Sequence, residues 1–332
     1  MSDPRQRIIE SNGIRLNIAE QGNGPLVLLC HGFPESWYSW RHQIDALAVA
    51  GFHAVAPDMR GYGKSDRPEA IDQYTIFHLV GDLVGLLDAL ESPAATIIGH
   101  DWGAAIAWQA ARLRPDRFRA VVNLSVPYRS RGPVRPTSVM PQTADAQFYQ
   151  LYFQEPGVAE AELERDPRTT IRNMLYWASG EGAAAIRAAT ASGGIAPNIG
   201  MVARGGGMFQ GPGAPEALPA WLSKADIDFY AAEFKRGGFR GPLNYYRNID
   251  RNWELLAPFA DVKVTVPALY VAGEHDMVVA FPGAAEYIAN LKRFVPALRD
   301  VQMLPGCGHW TQQERPNEVN AAIIDFLRSL PS

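Results

Sequence analysis

A short segment framed by glycines holds the residue with the clearest chemical potential in this chain. Asp101 stands at the centre of Gly99-His100-Asp101-Trp102-Gly103, between an apolar run and a helix-like run. The spacing is that of G-x-S-x-G, in which a sharp turn from strand to helix exposes a nucleophile above the carboxyl end of a sheet. Glycines in the frame relieve the crowding that such a turn creates. We therefore interpret Asp101 as a nucleophile, at the place where this pattern usually has serine.

An aspartate at this place changes the class of reaction. A carboxylate that attacks a carbonyl gives an anhydride, which is an unfavourable route for hydrolysis. A carboxylate that attacks a saturated carbon leaves an ordinary alkyl ester on the protein, and water can hydrolyse that ester. Asp101 therefore predicts displacement at an sp³ carbon, as in the opening of an epoxide or the release of halide from an alkyl halide.

Two further residues with acid–base chemistry follow apolar, strand-like runs. Asp276 comes after the run that begins at Ala268, and His309 comes after the run that begins at Val301. Reactive groups collect at the carboxyl ends of parallel strands, and the order nucleophile, acid, histidine is that of the α/β-hydrolase triad. We predict that Asp276 orients His309 and that neutral His309 activates the water that cleaves the ester. Glu274, two residues earlier, is the competing acid.

A loop after an earlier apolar run supplies the expected donors for negative charge. His31-Gly32-Phe33-Pro34 follows the run that begins at Leu26, the place from which this architecture offers one backbone N–H. The residue after the nucleophile offers the second. We predict an oxyanion hole formed by the backbone N–H groups of Phe33 and Trp102. His31 is interpreted as a residue that braces the loop by a hydrogen bond.

Epoxide opening also needs an acid, because the ring oxygen departs as an alkoxide. Phenols suit this role, since their ordinary pKa of about 10 keeps them protonated at neutral pH. One helix-like segment holds Tyr149 and Tyr152, and another holds Tyr245 and Tyr246. Adjacent helical residues point about 100° apart, so at most one of the second pair faces a cleft squarely. The residues alone do not choose among the four tyrosines.

The apolar runs alternate with helix-like segments through most of the chain. A hairpin signal at Asn12-Gly13 joins the first two strand-like segments. The run Leu26–Cys30 is apolar throughout, as expected for a strand covered on both faces, and the later runs are interpreted likewise. This alternation predicts an α/β fold with a mostly parallel, doubly wound sheet. The chain order of the three triad candidates is that of the α/β-hydrolase fold.

The alternation stops in the middle of the chain, where no buried strand run occurs. We predict a core of residues 1–128 and 252–332 and an inserted helical cap, or lid, of residues 129–251. A stretch rich in glycine and proline, at about residues 192–215, is interpreted as a flexible loop of the cap. The predicted cap helices cover residues 144–153, 168–178, 224–236 and 242–248.

Composition excludes several classes of function. A net charge of −4 over 332 residues gives no sign of a nucleic acid or an anionic membrane as partner. No apolar run approaches the length of about 20 residues that a membrane span needs, and the N-terminus has no signal-peptide core. Cys30 and Cys307 are expected to be free thiols, which predicts a cytoplasmic protein. Neither a cofactor nor a metal is predicted. A homodimer stays an open alternative to a monomer.

Several motifs together resemble those of the α/β-hydrolase-fold epoxide hydrolases, in particular the catalytic domain of the soluble class. The resemblance covers essentially the whole chain and rests on HGFPESWYSW at 31–40, GYG at 61–63, GHDWG at 99–103, YQLYFQEPG at 149–157, GFRGPLN at 238–244 and CGHWT at 307–311. It implies that Tyr149 and Tyr246 polarise the oxirane and that Asp276 is the acid. Tyr245 stands where relatives often have Trp, and we expect no N-terminal phosphatase domain like that of the mammalian soluble enzymes.

The implied activity converts a small-molecule epoxide and water into a vicinal diol, which is a detoxifying reaction. The expected intermediate is an alkyl ester on Asp101. The expected substrate pocket contains His31, Phe33, Pro34, Trp102, Tyr152 and Trp310.

Two other functions compete with this interpretation. Haloalkane and haloacid dehalogenases share the aspartate nucleophile. Those acting on haloalkanes typically have Asn where this chain has Phe33, and those acting on fluoroacetate usually have Arg where it has Trp102. A non-catalytic small-molecule receptor on the same fold would tolerate an incomplete triad, whereas this triad is complete.

Overall fold

An eight-stranded sheet forms the centre of the molecule, and two short strands pair apart from it. The computed structural model describes residues 3–192, 200–209 and 213–331. The strands in this part of the chain are β1 (Arg5–Ser11), β2 (Ile14–Gln21), β3 (Leu26–Cys30), β4 (His53–Pro57), β5 (Ala95–His100), β6 (Phe118–Leu124), β7 (Ala146–Phe148), β8 (Met201–Ala203), β9 (Ala268–Gly273) and β10 (Leu298–Leu304). The large sheet has the order β1-β2-β4-β3-β5-β6-β9-β10. Its β1–β2 and β2–β4 pairs are antiparallel, and all its other pairs are parallel.

Helices pack against the sheet and fill much of the long connection between β6 and β9. They are α1 (Arg41–Val49), α2 (Ile76–Ala89), α3 (Trp102–Leu113), α4 (Tyr149–Tyr152), α5 (Val158–Leu163), α6 (Pro167–Trp177), α7 (Gly180–Ala191), α8 (Lys224–Gly237), α9 (Arg240–Arg247), α10 (Ile249–Leu255), α11 (Met277–Ala280), α12 (Ala284–Ala289), α13 (Leu291–Phe294), α14 (Thr311–Glu314) and α15 (Pro316–Arg328). None of the helices in the described ranges is both long and apolar enough to span a membrane.

The apolar runs at the centre of the sheet became buried strands because both faces of the sheet are covered there. The run at residues 301–304 is an exception to the prediction, since β10 is an edge strand and Met303 is exposed. Every residue of β3 is buried, and alternate side chains of a strand point to opposite faces. Leu28 packs in the apolar cluster that includes residues of α2 and α3, whereas Leu29 packs in the cluster that includes residues of α1 and α15. The prediction of an α/β-hydrolase fold with a mostly parallel, doubly wound sheet is confirmed.

The connection between β6 and β9 differs from the prediction in one place that matters for the site. The segment predicted as a helix over residues 144–153 is β7 followed by the four-residue helix α4. The reason is a long-range pairing: β7 runs antiparallel to β8, with Phe148 opposite Met201. Periodicity within one segment cannot reveal a partner so far along the chain. The other three predicted helices correspond to α6, α8 and α9 with small shifts at their ends.

The predicted flexible loop at about residues 192–215 is only partly described. Residues 193–199 and 210–212 lie outside the described residues. Between them, β8 and a following turn connect to β7, and an isolated bridge joins Ala203 to Gly207.

Candidate active site

Asp101 lies at the turn between β5 and α3, above the carboxyl end of the sheet. Its backbone is in the left-handed region with φ of 54°, a conformation that costs energy for any residue with a side chain. The flanking glycines make the turn possible. A Cβ on Gly99 would collide with the main chain of Gly103, and a Cβ on Gly103 would collide with that of Cys30. The glycine frame seen in the sequence is therefore a steric requirement.

The Asp101 carboxylate faces a main-chain donor from the loop after β3. The Phe33 N–H donates to Asp101 Oδ1 at 2.8 Å. The preceding residue must be glycine, because a Cβ on Gly32 would collide with this same carboxylate. The Trp102 N–H is the first amide of α3, and the first four amides of a helix have no partner within it. Both amides predicted for the oxyanion hole thus flank Asp101.

His309 lies between two carboxylates. Its Nδ1 is 3.0 Å from Asp276 Oδ1, and its Nε2 is 3.7 Å from Asp101 Oδ2. Asp276 is fully buried at the start of α11, where the same Oδ1 accepts from the Val278 N–H at 2.8 Å. The three residues that follow β5, β9 and β10 therefore meet in one place, whereas Glu274 accepts from the Gly306 N–H at an exposed position.

Opposite charges dominate the electrostatics of this cluster. Burial alone lowers the pKa of His309, but the charge of Asp276 and the interaction with Asp101 outweigh it and raise that pKa well above its usual value. Burial raises the pKa of both carboxyl groups, and the imidazole outweighs this effect, so the pKa of Asp101 and that of Asp276 lie below their usual values. The geometry therefore favours an imidazolium held between two carboxylates.

Ser125 is a neighbour of His309 that the sequence analysis missed. Its Oγ lies 2.9 Å from His309 Nδ1, and its hydroxyl also helps to lower the pKa of Asp276. Ser125 is fully buried and, like Asp101, has a positive φ of 73°. Because it directly follows β6, the rule that reactive groups collect at strand ends could have found it.

A second buried pair lies behind the nucleophile. Glu35 Oε2 accepts from the Gly32 N–H at 3.1 Å and lies 2.9 Å from His100 Nδ1, while His100 Nε2 lies 2.7 Å from the main-chain oxygen of His309. Burial raises the pKa of Glu35, but the charge of His100 and further donors outweigh it and leave that pKa below its usual value. The pair connects the loops of Phe33 and His309. Glu35 lies in the motif at 31–40, whose residues alone indicate no role for it.

Glu314 attaches the loop of His309 to the connection between α6 and α7. Its carboxylate accepts from the N–H groups of Gly308 at 2.8 Å, Gly180 at 3.0 Å and Trp310 at 3.0 Å. The His309 N–H itself donates to the Ala178 oxygen at 2.8 Å. The position of His309 therefore depends on contacts to a part of the chain far from it in sequence, which no local pattern reveals.

Two of the four tyrosines line the cavity with Asp101. Tyr149 begins α4 and Tyr246 lies on α9, and their ring centroids are 5.9 Å apart. Burial, and then the nearby Asp101 carboxylate, raise the pKa of both phenols above the usual value. Both phenols are therefore neutral and able to donate a proton.

The other two tyrosines point elsewhere. The Tyr245 hydroxyl donates to the main-chain oxygen of Arg60 at 2.7 Å, and the Tyr152 hydroxyl donates to Glu162 at 2.6 Å. The folded structure thus distinguishes Tyr149 and Tyr246, which line the cavity, from their neighbours Tyr152 and Tyr245, which do not.

The cavity above Asp101 has a volume of about 320 Å³ and mostly apolar walls. Of the residues predicted for the pocket, Phe33, Pro34 and Trp310 line it, together with Asp101 and His309. The described residues contain no group of three or more histidine, cysteine, aspartate or glutamate side chains placed to hold a metal ion.

Three residues predicted for the pocket do not line this cavity. His31 braces its loop instead, since its Nε2 accepts from the Met59 N–H at 3.0 Å. The Trp102 ring packs edge-on against the rings of Tyr246 and Tyr245, at 5.1 and 5.7 Å between centroids. Tyr152 is turned away by its bond to Glu162. Partners outside the cavity hold His31 and Tyr152, whereas Trp102 packs against one tyrosine that lines the cavity and one that does not.

Comparison with known proteins identifies the family of this chain. Residues 25–316 match the family model of the alpha/beta hydrolase fold. Epoxide hydrolase A of Mycobacterium tuberculosis is 46% identical, over 99% of each chain, and epoxide hydrolase 3 of Siraitia grosvenorii is 44% identical, over 96% of each. The solved structure of an epoxide hydrolase from an endophytic Streptomyces is 43% identical, covers 99% of this chain and 96% of its own, and has a TM-score of 0.91. This chain therefore belongs to the epoxide hydrolases of the α/β-hydrolase fold.

Proposed function

We propose that this chain hydrolyses apolar epoxides to vicinal diols through an alkyl ester on Asp101. One observation carries the proposal: a carboxylate, Asp101, and two neutral phenols, Tyr149 and Tyr246, face the same apolar cavity. A carboxylate can attack a ring carbon while a phenol protonates the departing oxygen, and these are the two requirements of epoxide opening.

In the first step, Asp101 attacks a ring carbon and the carbon–oxygen bond of the epoxide breaks. Asp101 Oδ1 is held by the Phe33 N–H, so Oδ2 is the oxygen available for attack. Tyr149 and Tyr246 donate to the developing alkoxide, and one of them gives up its proton. Alkylation removes the negative charge of Asp101, and with it one cause of the high pKa of His309. The His309 imidazolium can then return a proton to the tyrosinate and become neutral.

In the second step, neutral His309 takes a proton from water, and that water attacks the carboxyl carbon of Asp101. The Phe33 and Trp102 amides stabilise the tetrahedral anion, an effect worth about 10²–10³ in rate per donor in comparable sites. His309 becomes an imidazolium when it takes the proton from water. The anion then collapses with cleavage of the bond between the carboxyl carbon and the substrate oxygen, and the proton of the added hydroxyl passes to that leaving oxygen, so the diol is released and Asp101 is a carboxylate again. Atoms and protons balance over one turnover with an epoxide and water as the only reactants.

The proposal includes a division of labour between two parts of the chain. The core, residues 1–128 and 252–332, supplies Asp101, Asp276 and His309, and the cap, residues 129–251, supplies the two tyrosines. The nucleophile that attacks carbon thus comes from the core, and the phenols that protonate the epoxide oxygen come from the cap. The mostly apolar walls of the cavity support an uncharged, apolar substrate.

The test is to incubate one purified sample with styrene oxide and, separately, with 1-chlorobutane. We expect diol from styrene oxide and no chloride from 1-chlorobutane. The Asp101→Asn variant should show no diol formation when initial rates are measured. Chloride release without diol formation would assign a dehalogenase. Binding of the epoxide without any product would assign a receptor.

A further inference from the structure

Glu162 lies outside the cavity but holds one of its walls. It is a half-buried residue of α5, and both of its carboxylate oxygens accept hydrogen bonds from the main chain of a distant segment. The Met208 N–H donates to Oε1 at 2.8 Å and to Oε2 at 2.9 Å, and the Phe209 N–H donates to Oε1 at 3.2 Å.

The segment that Glu162 holds is the wall segment 207–209, formed by Gly207, Met208 and Phe209. All three line the cavity that contains Asp101, Tyr149 and Tyr246. Gly207 has a positive φ of 89°, and a Cβ there would collide with the Glu162 carboxylate. The close approach of carboxylate and main chain is therefore built into the local sequence.

Tyr152 completes the connection. Its hydroxyl donates to Glu162 Oε2 at 2.6 Å, so the carboxylate joins the wall segment to α4. The same helix begins at Tyr149, whose N–H donates to the Gly200 oxygen at 2.7 Å, next to β8. The short helix thus presents one tyrosine to the cavity and uses the other to hold the cavity wall.

We propose that the Tyr152–Glu162 pair is a specificity-determining element, which sets the position of the wall segment 207–209 and so decides how well bulky epoxides fit. The proposal rests on the proposed function, because the specificity in question is that of epoxide hydrolysis. Glu162 is a positioning residue, since it touches the wall and not the cavity. Its loss leaves the Met208 and Phe209 amides without their acceptor, and the wall loses the contact that fixes it.

The consequence depends on the size of the substrate. A bulky apolar epoxide draws binding energy from contact with Met208 and Phe209, whereas a small one reaches only the groups that react. Apolar contacts of this kind change kcat/KM by about tenfold or more for each group lost. Displacement of the wall segment 207–209 should therefore lower kcat/KM for a bulky epoxide more than for a small one.

The experiment measures kcat/KM for trans-stilbene oxide, which is bulky, and for propylene oxide, which is small. We expect Glu162→Ala to lower the ratio of the two values, bulky over small, by roughly tenfold or more, with little change for propylene oxide. Glu162→Gln, which keeps only one acceptor oxygen, is expected to lie between the parent and Glu162→Ala. Glu155→Gln, an exposed glutamate of the same part of the chain, is the matched control and should leave the ratio unchanged.

Further variants keep the test decisive if Glu162→Ala does not fold. Tyr152→Phe removes one hydrogen bond of the pair, and Met208→Ala truncates the wall itself. Both should lower the same ratio, and their combination should lower it by less than the product of the single effects, because they act on one wall.

Two results would overturn the role of Glu162: an unchanged ratio in a folded variant, or equal losses on both epoxides. A parent protein that hydrolyses neither epoxide would instead overturn the proposed function and the specificity element with it.

Discussion

The side-chain amide of Gln154 donates a hydrogen bond of 2.9 Å to the main-chain oxygen of Tyr246. The same nitrogen donates to the main-chain oxygen of Gln150 at 2.8 Å. Gln154 thereby connects α4, which begins at Tyr149, with α9, which carries Tyr246. Two phenols that are proposed to act on one oxygen atom need a fixed separation, and this amide is one of the contacts that provides it.

Gln154→Leu should therefore slow ester formation while the protein stays folded. Leucine has a similar size but no donor, so α4 and α9 lose a shared contact and the two phenols lose their mutual alignment. Small misplacements in an active site cost up to about 10²-fold in rate, and we expect a loss of about tenfold, measured by rapid quench in a single turnover. Gln147→Leu is the control, because the Gln147 side chain interacts with Arg204 at an exposed position. Equal rates in both variants would contradict the role of Gln154.

His309→Gln should stop the reaction at the alkyl ester. Attack by Asp101 on the epoxide needs no base, whereas hydrolysis of the ester needs neutral His309 to activate water. Mass spectrometry of the intact protein should show an added mass of one substrate, and digestion should place it on the peptide that contains Asp101. His53→Gln changes a histidine that pairs with Glu20 away from the cavity and should turn over normally. Normal turnover in the His309→Gln variant would contradict the assignment of His309 as the base of ester hydrolysis.

The oxygen of water should enter the protein before it enters the product. In a single turnover in H₂¹⁸O, water attacks the carboxyl carbon, so the label is expected in Asp101 and not in the diol. Mass spectrometry of the peptide and of the diol gives both values in one experiment. Label that appears first in the diol would mean direct attack of water on the epoxide, with Asp101 acting as a base.

The pKa of His309 should fall when Asp101 loses its charge. Burial lowers this pKa, and Asp276 and Asp101 together raise it well above the usual value. In the Asp101→Asn variant, only Asp276 opposes the effect of burial on this pKa. His309 should therefore titrate at lower pH in the variant than in the parent, as followed by NMR of the imidazole carbons. Because the base must be neutral, ester hydrolysis should rise with pH through the lower pKa of the alkylated enzyme. The same imidazole pKa in parent and variant would remove Asp101 as a cause.

Tyr149 and Tyr246 should act as a unit. Tyr149→Phe or Tyr246→Phe should each slow ester formation by roughly 10–10³-fold, since general acid catalysis is worth about 10²–10⁴ and one phenol remains. The double variant should lose nearly all epoxide opening while it keeps its fold, because phenylalanine preserves the ring packing.

Tyr245→Phe is the matched control for the phenol pair, since its hydroxyl binds the Arg60 oxygen outside the cavity. Ester formation in this variant should stay near that of the parent. If all three single variants form the ester at one common rate, then the two phenols serve packing alone.

The part of the site that could be predicted is the part encoded by local backbone. A glycine frame forces the turn at Asp101, and the ends of β9 and β10 place Asp276 and His309 beside it, because parallel strands end at one edge. Ser125 obeys the same rule, because it directly follows β6. Glu35 and Glu314 could not be found this way, since their partners come from loops that only the folded chain brings together.

The sequence by itself determined the fold class and the type of reaction, since apolar runs, the glycine frame and an aspartate in place of serine are local features with local physical causes. Only the tertiary structure decided which phenols can reach the substrate. The segment before Tyr149 is a strand and not the predicted helix, because β7 pairs with β8, and α4 therefore begins at Tyr149. Hydrogen bonds to Glu162 and to the Arg60 oxygen direct Tyr152 and Tyr245 away from the cavity. The direction of a side chain depends on partners that are distant in sequence, and those contacts exist only once the chain has folded.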